Sequence, residues 1–226
     1  MNLEEHYNKL YADSIIKIKD DDYEIDHLIN SPLDNRFGIT LLTRPSVEVK
    51  NDIQKFLNEL KSIDPYQYFY GNSDIHVTVM SIISCYNGFQ LERINISEYI
   101  NLISKSLVKN SKIKIEFKGV TASPSCIMIQ GFMNTNFLNL IRNNLRENFK
   151  NSNLQQSIDK RYSLQTAHTT VVRFQNKINN KPAFLKIIEA YRHYDFGSFE
   201  VKNLELVYND WYQKEKHVKK LYEFSI

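Results

Sequence analysis

The sequence predicts an α+β protein of two pseudo-symmetric lobes, each an antiparallel-rich sheet with flanking helices, and an active-site cleft between them. Two observations carry that expectation. Strand-like runs joined by turns outnumber strand-helix-strand units, which argues against a doubly wound parallel sheet. The two halves of the chain also repeat strands and helices in similar order, with no Pro/Gly/Ser-rich linker between them. A chain of 226 residues can bury roughly 70% of its unfolded surface, enough for two lobes that share one interface.

The elements follow in order. Residues 1–34 read as an N-terminal extension, a charged helix or arm, because Asp20, Asp21 and Asp22 interrupt apolar periodicity and Pro32 stops what precedes it. The two-lobed domain is expected over 35–226, with lobe one about 35–110, lobe two about 111–226, and strand exchange left open. Residues 37–42 form a short apolar strand ended by Arg44 and Pro45. Val49, Ile53, Phe56, Leu57 and Leu60 then recur at helical spacing. The runs 66–70 and 75–83 flank Gly71-Asn72-Ser73 and read as a hairpin, and a helix follows over 97–108. In the second half, residues 112–117 alternate at period two, and 126–130 form a strand beyond a loop containing Pro124. A helix is expected over 136–149. The polar stretch 150–160 leads to a strand over 164–174, Pro182 starts a helix, and strands over 201–208 and 219–224 flank the loop around Trp211.

Composition excludes several classes of function. A net charge of +3 is too mild for gripping duplex DNA by charge alone. Cys85 and Cys126 make neither a disulfide framework nor a zinc cluster, so a reduced, cytoplasmic setting is expected. The acidic start of the chain does not read as a secretory signal, and no run approaches the ~18 apolar residues of a membrane span. The six glycines form no phosphate-cradling pattern.

The informative residues are His76-Val77-Thr78 and His168-Thr169-Thr170, each within a β-rich run. This composition yields roughly 0.2 such His-x-Thr triplets by chance. In a strand, positions i and i+2 share a face, so His76 stands beside Thr78 and His168 beside Thr170. Ile75, Val77 and Val79 face the first lobe's core. A single strand histidine is more often a structural residue, but its duplication weakens that reading. A metal site is the other alternative, although threonine is a poor ligand and no His-x-x-x-His pattern supports it. Two imidazoles without a strong nucleophile suit in-line displacement at a phosphodiester, one ring removing a proton and the other supplying one. Thr78 and Thr170 can donate hydrogen bonds to the non-bridging oxygens. A bell-shaped rate profile across the ordinary imidazole range is expected. No cofactor or metal is expected.

Paired His-x-Thr strands in two related lobes resemble the two-histidine phosphoesterase superfamily, from about Asn35 to the C-terminus. The likeness extends to Val201-Lys-Asn-Leu-Glu-Leu-Val-Tyr208 followed by Leu221-Tyr-Glu-Phe224. It implies hydrolysis of a 2′,3′-cyclic phosphate or a 2′-5′ linkage, with some members described as reversible RNA 2′-5′ ligases. It implies catalysis by His76 and His168, phosphate contacts from Thr78 and Thr170, and a basic residue at Arg173. Thr169 stands where that superfamily carries a bulky apolar residue, and residues 1–34 have no counterpart in its compact pattern. Strand alternation puts Arg173 on the face opposite His168 unless the strand bulges.

Tyr66, Tyr68, Tyr70, Phe132, Tyr208 and Trp211 are the aromatic candidates for holding a base; a tyrosine stripe at 66, 68 and 70 is more often a half-buried sheet surface, and Trp211 is foremost because it lies in a polar loop. The expected partner is a nucleotide or RNA end, with no duplex DNA and no membrane, and the protein is expected to be a monomer. Two other functions stay open: an RNA-end or nucleotide-binding module without turnover, and a phosphodiesterase for cyclic oligonucleotide signals.

Overall fold

A computed structural model of the chain describes residues 2–108, 112–161 and 163–226. The expected lobe boundary at 110 and 111 lies outside the described residues. In order, the elements are α1 (Leu3–Lys19), β1 (Arg36–Thr43), α2 (Val47–Ile63), β2 (Tyr68–Phe69), β3 (Val77–Asn87), α3 (Ile96–Ser106), β4 (Lys114–Ser123), β5 (Cys126–Met133), α4 (Phe137–Lys150), β6 (Thr169–Arg173), α5 (Lys181–Ala190), β7 (Asp195–Glu200), β8 (Asn203–Asp210) and β9 (Lys219–Ser225). The strands pair antiparallel in two sheets, β3-β1-β8-β9 and β2-β6-β5-β4-β7, which is the two-lobed α+β architecture. Sheet membership does not follow chain order. The C-terminal strands β8 and β9 complete the first sheet, while β2 from the first half joins the second.

That last assignment overturns the expected 66–70/75–83 hairpin. Tyr68 pairs with Arg173 and Phe69 with Val172, so β2 adds to β6 and not to β3. The turn at Gly71-Asp74 then carries the chain from the edge of one sheet to the edge of the other. Because only a few residues separate β2 from β3, the edges of the two sheets must lie close together. This short link positions the cleft.

Helix starts are set by local chemistry. Asn2, Ser46, Asn95 and Asn180 cap α1, α2, α3 and α5 by accepting backbone N–H bonds, each contribution about 0.5–2 kcal/mol. Val49, Ile53, Phe56, Leu57 and Leu60 are buried on α2, as their spacing predicts. β7 is not foreseen by the sequence reading. Its Asp195, Gly197 and Ser198 break any apolar alternation, and its place at the edge of the second sheet comes from pairing with β4.

Residues before β1 do not hang free. Tyr7 and Ile18 are buried, and the Ser14 hydroxyl donates to the Ala122 carbonyl, so α1 is docked on β4. Burying each of the two large side chains contributes ~1.5–3 kcal/mol. Beyond the helix, Glu24 N–H donates to Pro124 and Asp26 N–H to Phe174 in the second lobe. Tyr212 then donates to the Asp26 carboxylate, and Lys214 to the Ile29 carbonyl, from the loop after β8. The segment laces the two lobes together. Among the described residues, no helix is long and apolar enough to cross a membrane.

Candidate active site

The site is built by bulges. Along β6, Val172 pairs with Ile127 but Thr170 pairs with Met128, so Val171 is an extra residue. Thr169, Val171 and Val172 are buried, whereas His168, Thr170 and Arg173 are half-buried. The bulge thus returns Arg173 to the face of His168 and Thr170, where simple alternation would have turned it away. β3 uses the same device. Leu41 pairs with Met80 and Leu42 with Thr78, making Val79 the extra residue. His76, Thr78 and Ser81 are half-buried while Ile75, Val77, Val79 and Met80 are buried. Arg173 and Ser81 occupy equivalent places, five residues beyond each histidine.

Both histidines stand just ahead of their strands, and the strand expected over 164–174 begins only at Thr169. The polar groups before it are engaged elsewhere. The Thr166 hydroxyl lies 2.7 Å from His168 Nδ1, and the Thr166 carbonyl accepts from Arg142 at 2.7 Å. Gly131 permits the close passage of this segment, since a Cβ there would meet the Ala167 carbonyl oxygen at 2.0 Å.

Arg142, fully buried on α4, joins the two motifs. Its Nη2 donates to the Thr78 carbonyl at 3.0 Å and to the Thr166 carbonyl at 2.7 Å, while its Nε donates to Val79 at 3.0 Å. One nitrogen therefore holds both motif strands, so their backbones lie no farther apart than two hydrogen bonds end to end. Sequence reasoning missed Arg142. The only available signal was a charge on the apolar face of the helix, between Leu138, Ile141 and Leu145.

The two rings have different partners. His76 Nδ1 lies 2.7 Å from the Asp74 carbonyl, which can only accept, so Nδ1 carries the hydrogen and Nε2 is left for a ligand. His168 Nδ1 meets a hydroxyl that can donate or accept. Among the described residues, neither the Thr78 nor the Thr170 hydroxyl has a hydrogen-bond partner, and both are half-buried. Burial pushes His76 down from 6.5 to about 4, with Arg44 and Arg173 adding to it and the Asp74 carbonyl opposing. Burial does the same to His168, reinforced by the positive charges of Arg142, His76, His6 and Arg173. Both rings therefore feel the positive charge of Arg173. In the free protein, burial and the neighbouring positive charges favour the neutral form of both rings to below the ordinary imidazole range.

A stability prediction follows with a definite sign. Between 6.5 and about 4 the unfolded chain takes up protons that the folded rings refuse, so folding free energy falls as the pH drops through that window. Solvent reaches both rings, so each contributes about 1–2 kcal/mol. Urea unfolding of wild type and of the His76→Asn, His168→Asn double variant at pH 7 and pH 4.5 measures it. The variant is expected to lose less stability on acidification; an equal loss rejects the assignment.

The substrate-side residues fall differently. Tyr70 is 2% exposed, so it is not a stacking surface; its hydroxyl accepts from Arg173 Nε at 3.0 Å and orients that guanidinium. Phe132 is half-buried with its ring edge-on to Tyr7 of α1 at 5.5 Å. Trp211 is half-buried, with Arg161 4.3 Å, Arg36 5.0 Å and Arg173 5.9 Å from its ring centre. Arg173 thus links the histidines to Trp211. Among the described residues, no group of three or more His, Cys, Asp and Glu side chains could hold a metal ion.

Two antiparallel sheets, each preceded at one strand by a His-x-Thr segment, give the chain a fold that recurs among solved structures. No protein-family model and no curated protein matches it in sequence. The likeness is carried by solved structures. One described as a phosphoesterase superposes with TM-score 0.57 at 12% identity, over 84% of this chain and 98% of its own. TT0787 of Thermus thermophilus gives 0.55 at 14%, over 83% and 96%. Escherichia coli LigT, solved with 3′-AMP, gives 0.56 at 10%, over 84% and 98%. At these identities the likeness is one of fold.

Proposed function

We propose that the protein is a metal-independent phosphodiesterase that hydrolyses a 2′,3′-cyclic phosphate or a 2′-5′ linkage at a nucleotide or RNA end, working as a monomer. What supports this reading is that one Arg142 nitrogen holds the backbones of both His-x-Thr segments and that Arg173 acts on both half-buried imidazoles, each beside a threonine hydroxyl with no partner among the described residues. The 3′-AMP bound to the structurally similar LigT supports a nucleotide ligand.

In this reading the phosphate lies between the rings, with Thr78 and Thr170 donating to its non-bridging oxygens. Neutral His76, whose Nδ1 hydrogen is held by Asp74, uses its Nε2 lone pair to take a proton from water. The water oxygen bonds to phosphorus as the bond to the leaving oxygen breaks, and protonated His168 gives that oxygen a proton. His76 ends protonated and His168 neutral, and proton exchange with solvent resets them. The bound anion favours imidazolium, offsetting the depression that burial imposes on the empty site. Arg173, held by Tyr70, adds charge stabilisation that strengthens in the transition state. Trp211 offers a ring for stacking the base beside that phosphate.

The test is incubation in EDTA with a nucleoside 2′,3′-cyclic phosphate, a 2′-5′ oligoadenylate and a cyclic dinucleotide, followed by chromatography. Hydrolysis of either of the first two, undiminished by chelator, is expected. Cleavage of the cyclic dinucleotide alone moves the assignment to signal degradation. Binding without turnover on any of the three overturns the catalytic reading in favour of a binding module.

A further inference from the structure

His168 is supported from outside the two lobes. The Thr166 hydroxyl lies 2.7 Å from its Nδ1, and beyond that hydroxyl stands Tyr7 of α1, 1% exposed. The sheet sets the place. β6 pairs Thr169 with Ile129, and the same register carried on puts Ala167 opposite Gly131, where β6 has not yet begun. There the Tyr7 hydroxyl engages both Gly131 groups, donating to the carbonyl and accepting from the N–H, each at 3.2 Å. The Ala167 backbone and the Thr166 hydroxyl face it as well. α1 holds the residue in position, since Thr121 donates to the Tyr7 carbonyl at 3.2 Å and Phe132 meets its ring edge-on.

Proton counting gives these contacts a direction. Burial pushes the Tyr7 hydroxyl up to about 12, so at neutral pH it keeps its single hydrogen. A carbonyl can only accept, so that hydrogen goes to Gly131 and the tyrosine oxygen can only accept from Thr166. With its own hydrogen given to Tyr7, the Thr166 oxygen is left to accept from His168 Nδ1–H. His76 is in the same state, its Nδ1 hydrogen going to the Asp74 carbonyl. The hydrogen bond at one ring nitrogen decides what the other carries, which leaves Nε2 of each ring to gain and lose the proton.

We propose that Tyr7 is a positioning residue: through Thr166 it holds His168 in the Nδ1–H form, so that Nε2 is the atom that delivers the proton to the leaving oxygen. The helix ahead of the two lobes is then part of the working enzyme. The proposal rests on the phosphodiesterase reading above, and its first test needs no turnover. In the full chain labelled with ¹⁵N-histidine, nitrogen chemical shifts at pH 7 report which ring nitrogen bears the hydrogen, and the His168→Asn spectrum identifies the signal. Wild type is expected to show the Nδ1–H form. Tyr7→Phe, which keeps the ring against Phe132, is expected to move it to Nε2–H, because the Thr166 hydrogen loses its acceptor and turns to Nδ1. Thr166→Val is expected to do the same, and Thr166→Ser to keep the wild-type form. Thermal melts confirm that each variant is folded. Wild type in the Nε2–H form, or an Nδ1–H form that persists in Tyr7→Phe, overturns the proposal.

Kinetics supply the second test. Tyr7→Phe and Thr166→Val are each expected to lower kcat about 10–100-fold with KM unchanged. The double variant is expected to be no worse than Thr166→Val, because both side chains act along one path; effects that multiply overturn that path. Hydrolysis by a wild type whose Nδ1–H form persists in Tyr7→Phe overturns the role of Tyr7 alone. An Nδ1–H form that is lost in Tyr7→Phe, without hydrolysis of any substrate by wild type, overturns the catalytic reading alone.

Discussion

Replacing either His76 or His168 with alanine is expected to lower kcat on the cleaved substrate by about 10²–10⁴-fold, the range for removing a positioned general acid or base. The double variant is expected to be little worse than the worse single one, because the rings act as a unit on one proton inventory. Folding survives both changes. Each ring is half-buried, its Nδ1 partner is a single carbonyl or hydroxyl, and at neutral pH burial already disfavours the ring's charged form. Steady-state kinetics with a thermal melt on each variant provide the check. A variant that stays within tenfold of wild type removes that histidine from the chemistry.

The second large effect lies at Arg142. Arg142→Leu leaves the carbonyls of Thr78, Val79 and Thr166 without the donors that now reach them at 3.0, 3.0 and 2.7 Å. At about 1–3 kcal/mol for each unsatisfied buried acceptor, the loss is at least about 3 kcal/mol. In a chain of this size that lowers the melting temperature by roughly 6–12 °C. Activity falls as well, at temperatures where the variant remains folded, because nothing else reproduces one nitrogen shared between the two motif strands. Arg142→Lys retains the charge but not the planar fork, and is expected to fall between the two. A leucine variant that melts within about 2 °C of wild type and keeps its kcat would show that the clamp is dispensable.

The two predictions differ in how visible their residues were. His76, Thr78, His168 and Thr170 announce themselves by a repeated triplet, since the relation of i to i+2 within a strand is local. Arg142 does not, because its meaning lies in carbonyls more than sixty positions away on β3 and more than twenty away before β6. Arg173 is intermediate. Its spacing from His168 was visible, but whether it shared the histidine's face depended on an extra residue in β6, which only pairing with β5 reveals. Tyr70 was a stacking candidate by composition, and burial makes it the support for Arg173 instead. The supposed hairpin at 66–83 failed for a related reason. Gly71 and its neighbours do form a turn, but a turn does not specify which strand pairs with its arms.

From the order of its residues alone, this chain determined its helices, most of its strands and the side chains available for chemistry, because caps, periodicity and short motifs act over a few residues. Tertiary structure decided which strands share a sheet, where the bulges fall and where α1 docks. Those outcomes depend on hydrogen-bond and packing partners far apart in the chain, and such partners are chosen only when the whole core closes.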